Sequence, residues 1–343
     1  MNGGENILER LPVKLMPVAK DYFWGGTRLN DDFAFGFDID CFAEAWVCST
    51  HTDGMSHLET GAKLKDVLKE HPDYLGTHPL QTTKGIPELP ILIKLIDAKK
   101  DLSIQVHPDD NYASVNESSM GKTEMWYVLD ARENSSLIYG FRNNTTPQEV
   151  REAIKSDEIV NLLNRVPIHR NDLFYIEAGT VHAIGAGALV VEIQESSNIT
   201  YRLYDYNRLD RNGNRRPLHI EKALEVANLN GCDTPRQPMR VLKYKRGIAS
   251  ELLIRCKYFQ VERILLNTET CRSLVNYKTE VNSFHVLLCI DGCGSISYEN
   301  NKRIGTCDYL SSFNFFKGDC IFIPANSIEM NLHGKAQILD VSC

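Results

Sequence analysis

The sequence predicts an all-β protein with helical insertions, divided into two domains. Most of the chain consists of short runs rich in Val, Ile, Leu, Tyr and Phe, bounded by Gly, Asp, Asn or Pro, which is typical of β-strands. Only three helical stretches interrupt these runs, and they do not alternate regularly with strands, so no parallel α/β sheet is predicted. A length of 343 residues favours two domains, at roughly 150 residues each.

Composition and charge exclude several classes of function. Hydrophobic residues make up 43% of the chain and charged residues 24%, which is normal for a globular protein. The net charge of -7 gives no basis for binding nucleic acid or an anionic membrane surface. No run approaches the roughly 18 apolar residues of a membrane span, and residues 1–17 lack the apolar run of a signal peptide. We therefore expect a cytoplasmic protein whose ten cysteines are reduced.

The clearest predicted strands lie in the first two thirds of the chain. Each is rich in branched or aromatic side chains and is bounded by turn-forming residues. They cover residues 90–96, 102–106, 125–129, 136–140, 173–176 and 189–193.

The helical insertions fall at about residues 55–80, 146–165 and 217–230. In the first, apolar residues recur at helical spacing from Leu64, and Pro72 ends the helix. The second begins with a capping box formed by Thr146 and Glu149, and a further helix starts near Ser156 and includes residues up to 163. The third follows Pro217.

The best candidate for a domain boundary is the segment 230–238, which is polar and contains Gly and two Pro. About a hundred residues of strand-like sequence follow it, with no obvious helix. We therefore predict a first domain over residues 1–232, which contains the helical insertions, and a second over residues 233–343.

Four polar residues indicate a metal site. Gln105 and His107 belong to a segment in which apolar and polar residues alternate, and a strand places residues i and i+2 on the same face. Glu124 and His182 each lie within a strand-like run. An amide oxygen, a carboxylate and two imidazoles are suitable ligands for zinc or a similar divalent ion. Taken singly, each residue is more often a hydrogen-bonded or solvated polar side chain, so the metal site requires that all four converge.

An internal repeat links the two predicted domains. Residues 171–178 read like residues 318–325, each as a turn, a strand and a second turn, and residues 127–130 pair with 288–291. This turn–strand–turn unit is typical of cupin jelly rolls.

The repeat places other residue types at the candidate ligand positions of the second copy. Glu124 aligns with His285, and His182 aligns with Glu329, while the Gln-x-His pair has no counterpart. We therefore predict two cupin domains, the first catalytic and metal-binding, the second degenerate and metal-free.

Several motifs around the four residues occur together in one order. The chain resembles the type I mannose-6-phosphate isomerases, specifically their short bacterial branch. The resemblance covers about residues 15–220, and beyond them the chain is similar only in length and β-character. It depends on Trp24-Gly25-Gly26, on Ala43-Glu44-Ala45-Trp46 and on the segments 104–110, 121–127, 179–185, 192–194 and 200–206.

The resemblance implies a function and a site. The family interconverts mannose 6-phosphate and fructose 6-phosphate, so the implied partner is a small sugar phosphate, with no nucleic acid and no membrane. We expect a monomer or a weak homodimer. The implied cofactor is zinc, one divalent ion per chain, held by Gln105, His107, Glu124 and His182. The implied pocket is lined by Lys94, Ser103, Lys122, Glu192 and Arg202.

An aldose–ketose isomerisation moves a proton between carbon 2 and carbon 1 through an enediol or enediolate. It needs an acid–base group and a group that stabilises charge on the carbonyl oxygen, which a divalent ion can do as a Lewis acid. Our hypothesis makes Glu192 the base or hydroxyl shuttle and Arg202 the electrostatic stabiliser. Lys122 is the alternative acid–base group, and the sequence leaves both open.

The substrate phosphate requires positive charge. Lys94 interrupts the apolar run 91–96, where a Lys is unfavourable unless it faces a polar pocket or solvent. Ser103 shares the strand face of Gln105, so it is expected to point into the same cavity. Lys94, Ser103 and Arg202 are therefore the candidate substrate-binding residues, and a solvent-facing Lys94 is the alternative.

The chain departs from the family at several positions. Asn198 stands where many relatives have an Asp that can pair with the active-site Lys, and Glu195 stands where Gln is common. Val47 replaces a frequent Glu, and Gly121 occupies the place of a His found in longer relatives. These departures keep two alternatives open, a sugar-phosphate isomerase with another substrate and a metal-retaining sugar-binding cupin without turnover.

Overall fold

The computed structural model of the chain is mainly β-sheet, and it describes residues 10–210, 212–233, 235, 237–271, 273–304 and 307–343. The strands are β1 (Val13–Met16), β2 (Val18–Gly26), β3 (Phe42–Cys48), β4 (His57–Leu58), β5 (Ile91–Asp97), β6 (Ile104–Val106), β7 (Glu124–Ala131), β8 (Ser136–Phe141), β9 (Leu163–Pro167), β10 (Leu173–Ile176), β11 (His182–Ile184), β12 (Ala188–Glu195), β13 (Tyr201–Tyr204), β14 (Lys243–Lys245), β15 (Ile248–Arg255), β16 (Gln260–Asn267), β17 (Val275–Tyr277), β18 (His285–Ile304), β19 (Cys307–Phe316), β20 (Cys320–Ile323) and β21 (Met330–Ser342). The helices are α1 (Arg28–Asp31), α2 (Leu64–Glu70), α3 (Thr77–Thr82), α4 (Asp110–Asn116), α5 (Pro147–Lys155), α6 (Ile159–Leu162) and α7 (Ile220–Val226), with a short 3-10 helix at Pro72–Tyr74.

The prediction of a mainly β fold with helical insertions is confirmed. Each of the six predicted strands is present, and the three insertions contain α2 and α3, α5 and α6, and α7. The capping box is present, since Thr146 Oγ1 accepts from the Glu149 N–H and Glu149 Oε2 accepts from the Thr146 N–H. Leu163, which we predicted to be helical, is instead the first residue of β9.

Helix α4 was not predicted, although its start carries a sequence signal. The Asp109 side chain accepts a hydrogen bond of 2.8 Å from the Tyr112 N–H, as an N-cap residue does. The helix contains only seven residues with little apolar periodicity, which is why the sequence pattern did not reveal it.

Two compact units make up the chain, and neither is continuous in sequence. The larger unit contains Val18–Gly54 and Ile91–Pro238, and the smaller unit contains the described residues up to Pro17, Met55–Pro90 and Met239–Cys343. The predicted division between residues 232 and 233 differs from this one, because segments before residue 91 join the smaller unit.

Long-range backbone pairing explains this difference. β1 pairs with β20, and β4 pairs with β1 in the same sheet. The Phe284 N–H donates to Leu75 O, and the Thr77 and His78 N–H groups donate to the carbonyls of residues 281 and 282. Local sequence patterns carry no signal of such pairings, so the insertion at 55–80 was assigned to the wrong side of the boundary.

The larger unit consists of two antiparallel sheets that pack face to face. The six-stranded sheet has the order β10-β7-β12-β5-β3-β2, and the five-stranded sheet has the order β13-β6-β11-β8-β9. One apolar core contains residues of both, for example Trp126 and Val190 from the first sheet and Leu137 and Ile184 from the second. A second core lies between the five-stranded sheet and helices α5, α6 and α7, with Val150 and Leu224 among its members. The helical insertions therefore cover one sheet and leave the other side of it for the shared core.

The smaller unit contains a ten-stranded sheet whose main path has the order β14-β15-β16-β21-β18-β20-β1-β4. Its core contains Leu287, Ile296, Ile321 and Leu332. In the described part of the chain, no helix is both long and apolar enough to cross a membrane.

The repeat seen in the sequence has the same pairing register in both units. In the larger unit, Glu124 lies opposite Ile176 and Tyr127 opposite Leu173. In the smaller unit, His285 lies opposite Ile323 and Leu288 opposite Cys320. The sequence alignment joined these same positions, so Glu124 and His285 occupy equivalent places in two antiparallel pairs.

Candidate active site and metal centre

The pairing of β6 with two neighbours brings three candidate residues together. Gln105 lies opposite His182 of β11 on one side and opposite Arg202 of β13 on the other. His107 directly follows Val106, the last residue of β6. Glu124 is the first residue of β7 in the six-stranded sheet, and the face-to-face packing of the sheets brings it to the same place.

The four candidate ligands converge. The Nε2 atoms of His107 and His182 are 3.2 Å apart, and Gln105 Nε2 lies 3.5 Å from His182 Nε2. Glu124 Oε1 lies 3.3 Å from His182 Nε2, and its Oε2 lies 3.7 Å from His107 Nε2. His107, Glu124 and His182 are all buried. Their ligand atoms are close enough to share one ion.

Hydrogen bonds to backbone carbonyls fix the orientation of both imidazoles. His107 Nδ1 lies 2.7 Å from Ile199 O, and His182 Nδ1 lies 2.8 Å from Thr180 O. Each Nδ1 therefore donates, and each Nε2 keeps a lone pair directed at the cluster. Burial lowers the pKa of His107 well below its usual value and the pKa of His182 to about 4, so both rings are neutral at pH 7.

The buried carboxylate of Glu124 is the observation that favours a metal. Neither of its oxygens accepts a well-aligned hydrogen bond in the described part of the chain, although Lys122 Nζ lies 3.0 Å from Oε2. Burial, followed by the charge of Glu192, raises the pKa of Glu124 to about 7. A divalent cation would supply the missing partner, and two neutral imidazoles with a carboxylate and an amide oxygen suit it. The Gln105 amide can present its oxygen after a simple flip, so the donor set fits the ion.

A row of alternating charges leads away from the cluster. Lys122 Nζ lies 3.0 Å from Glu124 Oε2 and 3.9 Å from Glu192 Oε1. Lys94 Nζ lies 3.1 Å from Glu192 Oε1 and 3.8 Å from Glu44 Oε2. All five side chains are buried. Because a buried charge is unfavourable without a partner, the alternation is what makes the row compatible with the protein interior.

The neighbours of Glu192 keep it ionised. Burial opposes ionisation, but the ammonium groups of Lys94 and Lys122 outweigh it and lower the pKa of Glu192 to about 2. Trp126 Nε1 also donates to Glu192 Oε2 over 2.9 Å. Burial likewise opposes the charge of Lys94, yet Glu192 and Glu44 raise its pKa above the usual value. The site therefore presents a fixed negative oxygen to anything that binds there.

An open cavity of about 560 Å³ adjoins these residues. All the residues expected to line the pocket do so, namely Lys94, Ser103, Lys122, Glu192 and Arg202, and Gln105 lines it as well. Lys94 is only 3% exposed, so the alternative of a solvent-facing Lys94 is wrong. Lys99 and Lys100 are exposed, as expected for charges in a turn.

Arg202 lies in the wall of this cavity. Its Nε donates to Ser103 Oγ over 3.2 Å, and its Nη1 donates to Pro217 O over 2.9 Å. Within the described part of the chain, no carboxylate lies within ion-pair distance of its guanidinium, and burial lowers its pKa. Arg202 can therefore offer its charge to a ligand.

Sequence analysis did not identify four charged residues of the cavity, namely Asp21, Glu44, Asp210 and Arg216. Glu44 is an acid in the buried strand β3, where its carboxylate accepts from Trp46 Nε1 over 2.7 Å. An acid within such an apolar run was a usable signal, because it requires a buried partner. Arg216 reaches the cavity from the loop after β13, and no local pattern distinguishes it from a surface residue.

Two departures from the family have a structural explanation. Asn198 donates to Asp53 Oδ2 over 2.7 Å, so its amide has a carboxylate partner of its own. Lys122 lies between the carboxylates of Glu124 and Glu192, and it does not depend on an acid at position 198. At Gly121, a Cβ atom would lie 2.5 Å from the Asp109 carbonyl carbon, so no larger residue fits there without a shift.

Comparisons with known proteins agree with this geometry. The family model for the catalytic domain of type I phosphomannose isomerase matches residues 13–137. The chain is 36% identical to mannose-6-phosphate isomerase ManA of Bacillus subtilis, over 96% of this chain and 98% of that protein. The crystal structure of the mannose 6-phosphate isomerase from Bacillus subtilis superposes with a TM-score of 0.84 at 33% identity, covering 97% of this chain and 99% of that one. A mannose 6-phosphate isomerase bound with zinc and yttrium shares the fold at a TM-score of 0.71 and 16% identity, covering 96% and 98%.

Proposed function

The chain belongs to the type I phosphomannose isomerases, and on this premise we propose that it interconverts mannose 6-phosphate and fructose 6-phosphate with one bound zinc ion. The observation that carries the proposal is the convergence of His107, Glu124 and His182, all buried, beside a cavity wall that presents Glu192 and Lys122. A sugar phosphate needs positive charge for its phosphate and polar groups for its hydroxyls, and the residues that line the cavity provide both.

The residues that would hold the ion are Gln105, His107, Glu124 and His182. When bound, a divalent metal ion supplies Lewis-acid polarisation of the carbonyl or hydroxyl oxygen of the substrate. Zinc is proposed because two imidazole nitrogens and a carboxylate are a common zinc set, whereas magnesium and calcium favour oxygen ligands. The backbone bonds to His107 and His182 would keep both rings aimed at the ion.

The reaction needs two proton movements through an enediol or enediolate. A proton leaves carbon 2 of the aldose and is returned to carbon 1, and a hydroxyl proton passes from one oxygen to the other. We assign the hydroxyl transfer to Glu192, because its carboxylate lines the cavity and is kept ionised by Lys94 and Lys122, so it can accept a proton from one hydroxyl and pass it to the other. We assign the carbon-bound proton to Lys122, whose Nζ lies 3.9 Å from Glu192 Oε1. Its ammonium would first release a proton to water in the open cavity, and the amine would then take the proton from carbon 2 and return it to carbon 1.

Arg202 is assigned to charge stabilisation at the substrate oxygens. It lies opposite Gln105 across the β6–β13 pair, so its guanidinium is on the cavity side of the candidate metal site. Fixed donors aimed at developing negative charge contribute more in a buried site than in water. Ser103 holds the guanidinium in place through its hydroxyl.

The variants Glu192→Gln and Lys122→Met test the assignments. Each should lower kcat by about 10²- to 10⁴-fold, the usual contribution of an acid–base group, while zinc content stays near one per chain. If both variants keep near-native turnover with metal bound, the assignment of these residues is wrong.

A coupled assay with and without chelator tests the function itself. We expect conversion of mannose 6-phosphate to fructose 6-phosphate that is lost after chelation and restored by added zinc. Binding of sugar phosphate with no turnover in the zinc-loaded protein would instead identify a sugar-binding cupin. Turnover of a different sugar phosphate at a higher kcat/KM would identify a related isomerase.

We also infer that the two units are related cupin domains and that the smaller one is degenerate. This inference is supported by the strand pairing, because Glu124 in the larger unit and His285 in the smaller unit have the same register relative to their partner strands. In the smaller unit, His285 Nδ1 lies 2.7 Å from Asp340 Oδ1, and Glu329 accepts from Asn276 over 2.9 Å. A cytoplasmic location and a monomer or weak homodimer stay predictions.

A further inference from the structure

Two arginines lie in the wall of the same cavity. Arg202 and Arg216 both line the cavity, and Arg202 donates to the carbonyl of Pro217, the residue after Arg216. After burial, the charge of Arg216 is the largest influence that lowers the pKa of Arg202. Two like charges in one cavity wall repel each other, so this wall favours an anionic ligand.

Each of these guanidiniums has one terminal nitrogen without a protein partner in the described part of the chain. Arg216 donates from Nε and Nη2 to the two oxygens of Asp205, over 2.7 and 2.5 Å, which leaves Nη1. Arg202 donates from Nε to Ser103 and from Nη1 to Pro217, which leaves Nη2. These two nitrogens, Arg216 Nη1 and Arg202 Nη2, carry four N–H groups that can bind a ligand.

Arg208 provides a contrast within the same cluster. Its Nε and Nη2 both donate to Asp205, and its Nη1 donates to Asp101 O, so every nitrogen is engaged. Its guanidinium lies 5.1 Å from the centre of the Phe23 ring, and that of Arg216 lies 5.0 Å from the same ring. Arg208 does not line the cavity. Arg208 and Arg216 therefore both donate to the Asp205 carboxylate and lie near the Phe23 ring, but only Arg216 lines the cavity.

The charges of the cluster do not cancel. Two guanidiniums, those of Arg208 and Arg216, donate to Asp205, which is 5% exposed and lies outside the cavity wall. Burial opposes ionisation of Asp205, but Arg216 and Arg208 lower its pKa below the usual value, so it remains a carboxylate. Asp210 also lines the cavity, yet its Oδ1 accepts from the N–H groups of Asn212 and Asn214 in its own turn.

We propose that Arg216 binds the phosphate group of the sugar phosphate, and that Asp205 is the positioning residue that orients Arg216. This inference rests on the proposed function, because it identifies the part of that substrate held at this end of the site. A planar guanidinium with free N–H groups matches the oxygens of a phosphate dianion. A carboxylate behind Arg216 fixes one edge of its guanidinium and leaves the other edge for the ligand.

The test uses Arg216→Gln in the zinc-loaded full chain. Losing one charged donor to a phosphate should raise KM for mannose 6-phosphate and Ki for inorganic phosphate by about 10- to 100-fold, with kcat within about threefold. Arg216→Lys keeps the charge but loses the paired N–H donors of the guanidinium, so it should raise KM and Ki by about three- to tenfold. It also keeps the test decisive if Arg216→Gln does not fold. Asp205→Asn should raise KM several-fold and leave kcat nearly unchanged.

Arg208→Gln is the matched control, because it also removes a guanidinium that donates to the Asp205 carboxylate and lies near the Phe23 ring. We expect its Ki for phosphate to rise less than threefold. An equal rise in both Gln variants would overturn the proposal, because the loss would then come from packing around Asp205. Unchanged KM and Ki in Arg216→Gln would also overturn it.

The outcome is separable from that of the proposed function. If the wild-type chain does not isomerise mannose 6-phosphate, the proposed function fails, while titration with inorganic phosphate still shows whether Arg216 binds the anion. If the wild-type chain is active and Arg216→Gln is unchanged, only the phosphate assignment fails.

Discussion

Glu192 faces Lys94 directly across the antiparallel pair of β5 and β12, and its Oε1 lies 3.1 Å from Lys94 Nζ. The two side chains are 4% and 3% exposed, so the ion pair is almost completely shielded from solvent. A pair at such depth adds little net stability compared with apolar residues, but removing one partner leaves an unpaired buried charge. Its main effect is on the site, since it keeps Glu192 ionised.

Replacing Lys94 should therefore harm both stability and activity. In Lys94→Met the carboxylate of Glu192 loses its nearest cation, so we expect a loss of about 3–5 kcal/mol in the free energy of unfolding. The pKa of Glu192 should rise from about 2, which would move the acidic limb of the kcat/KM profile to higher pH. Urea titration and a pH–rate profile measure the two effects.

Lys65→Met is the matched control for this change. Lys65 Nζ lies 2.7 Å from Glu88 Oε1, but Glu88 is 38% exposed, and such pairs contribute about 0–1 kcal/mol. Equal losses in the Lys65 and Lys94 variants would contradict the role given to the buried pair.

Metal binding should depend on Glu124. Glu124→Gln keeps the size of the side chain but removes its negative charge. In the wild type, neither oxygen of this carboxylate has an aligned hydrogen-bond donor within the described residues. We expect zinc content to fall well below one per chain after dialysis, and the increase in Tm on adding zinc to disappear. Metal analysis and thermal unfolding with and without zinc measure this.

Glu177→Gln is the control, because Glu177 is exposed and lies in the turn between β10 and β11. It should keep both the zinc content and the response of Tm. Full zinc retention in Glu124→Gln would show that the carboxylate is not a ligand.

The sequence predicted those site residues whose positions follow from strand alternation or from the family motifs. Gln105 and Ser103 share a strand face, and the alternation in that segment is visible in the sequence. The repeat alignment of Glu124 with His285 also joined the correct positions, because both strands pair with a partner of the same length and register.

The features that the sequence did not predict depend on contacts between segments that are distant in the chain. Arg216 reaches the cavity through a loop, and its orientation comes from Asp205 rather than from a periodic element. The segment Met55–Pro90 joins the smaller unit through backbone hydrogen bonds to residues 281–284, and no local pattern encodes them. Single-sequence periodicity reports which face of an element is apolar, but not which element covers it.

Glu195 should make stability depend on pH. It is fully buried, its Oε1 accepts from the Thr123 N–H over 2.7 Å, and burial together with the Asp110 carboxylate raises its pKa to about 8. The usual value is 4.5, so the folded chain binds more protons than the unfolded chain between these two pH values. The stabilisation is fully present below pH 4.5 and is lost as pH rises through 8.

Glu195→Gln removes this dependence, because an amide can donate to Asp110 at every pH. We expect the variant to be more stable than the wild type at pH 9, by on the order of 3–5 kcal/mol as an upper limit, and no more stable at pH 5. Urea unfolding across pH 5 to 9 measures the difference. Parallel curves for the variant and the wild type would show that Glu195 does not titrate in this range.

Asn198 and Asp53 form a hydrogen-bonded pair, and exchanging Asn and Asp between the two positions tests whether they are coupled. Asn198→Asp introduces the residue common in relatives, but it places a second carboxylate at the 2.7 Å contact with Asp53 Oδ2. We expect a loss of about 0.5–1 kcal/mol in the free energy of unfolding at pH 7, reduced in 1 M salt because the site is exposed. Adding Asp53→Asn should restore stability, since the exchanged pair can form the same hydrogen bond. A double variant no more stable than Asn198→Asp alone would mean that the two positions are not coupled.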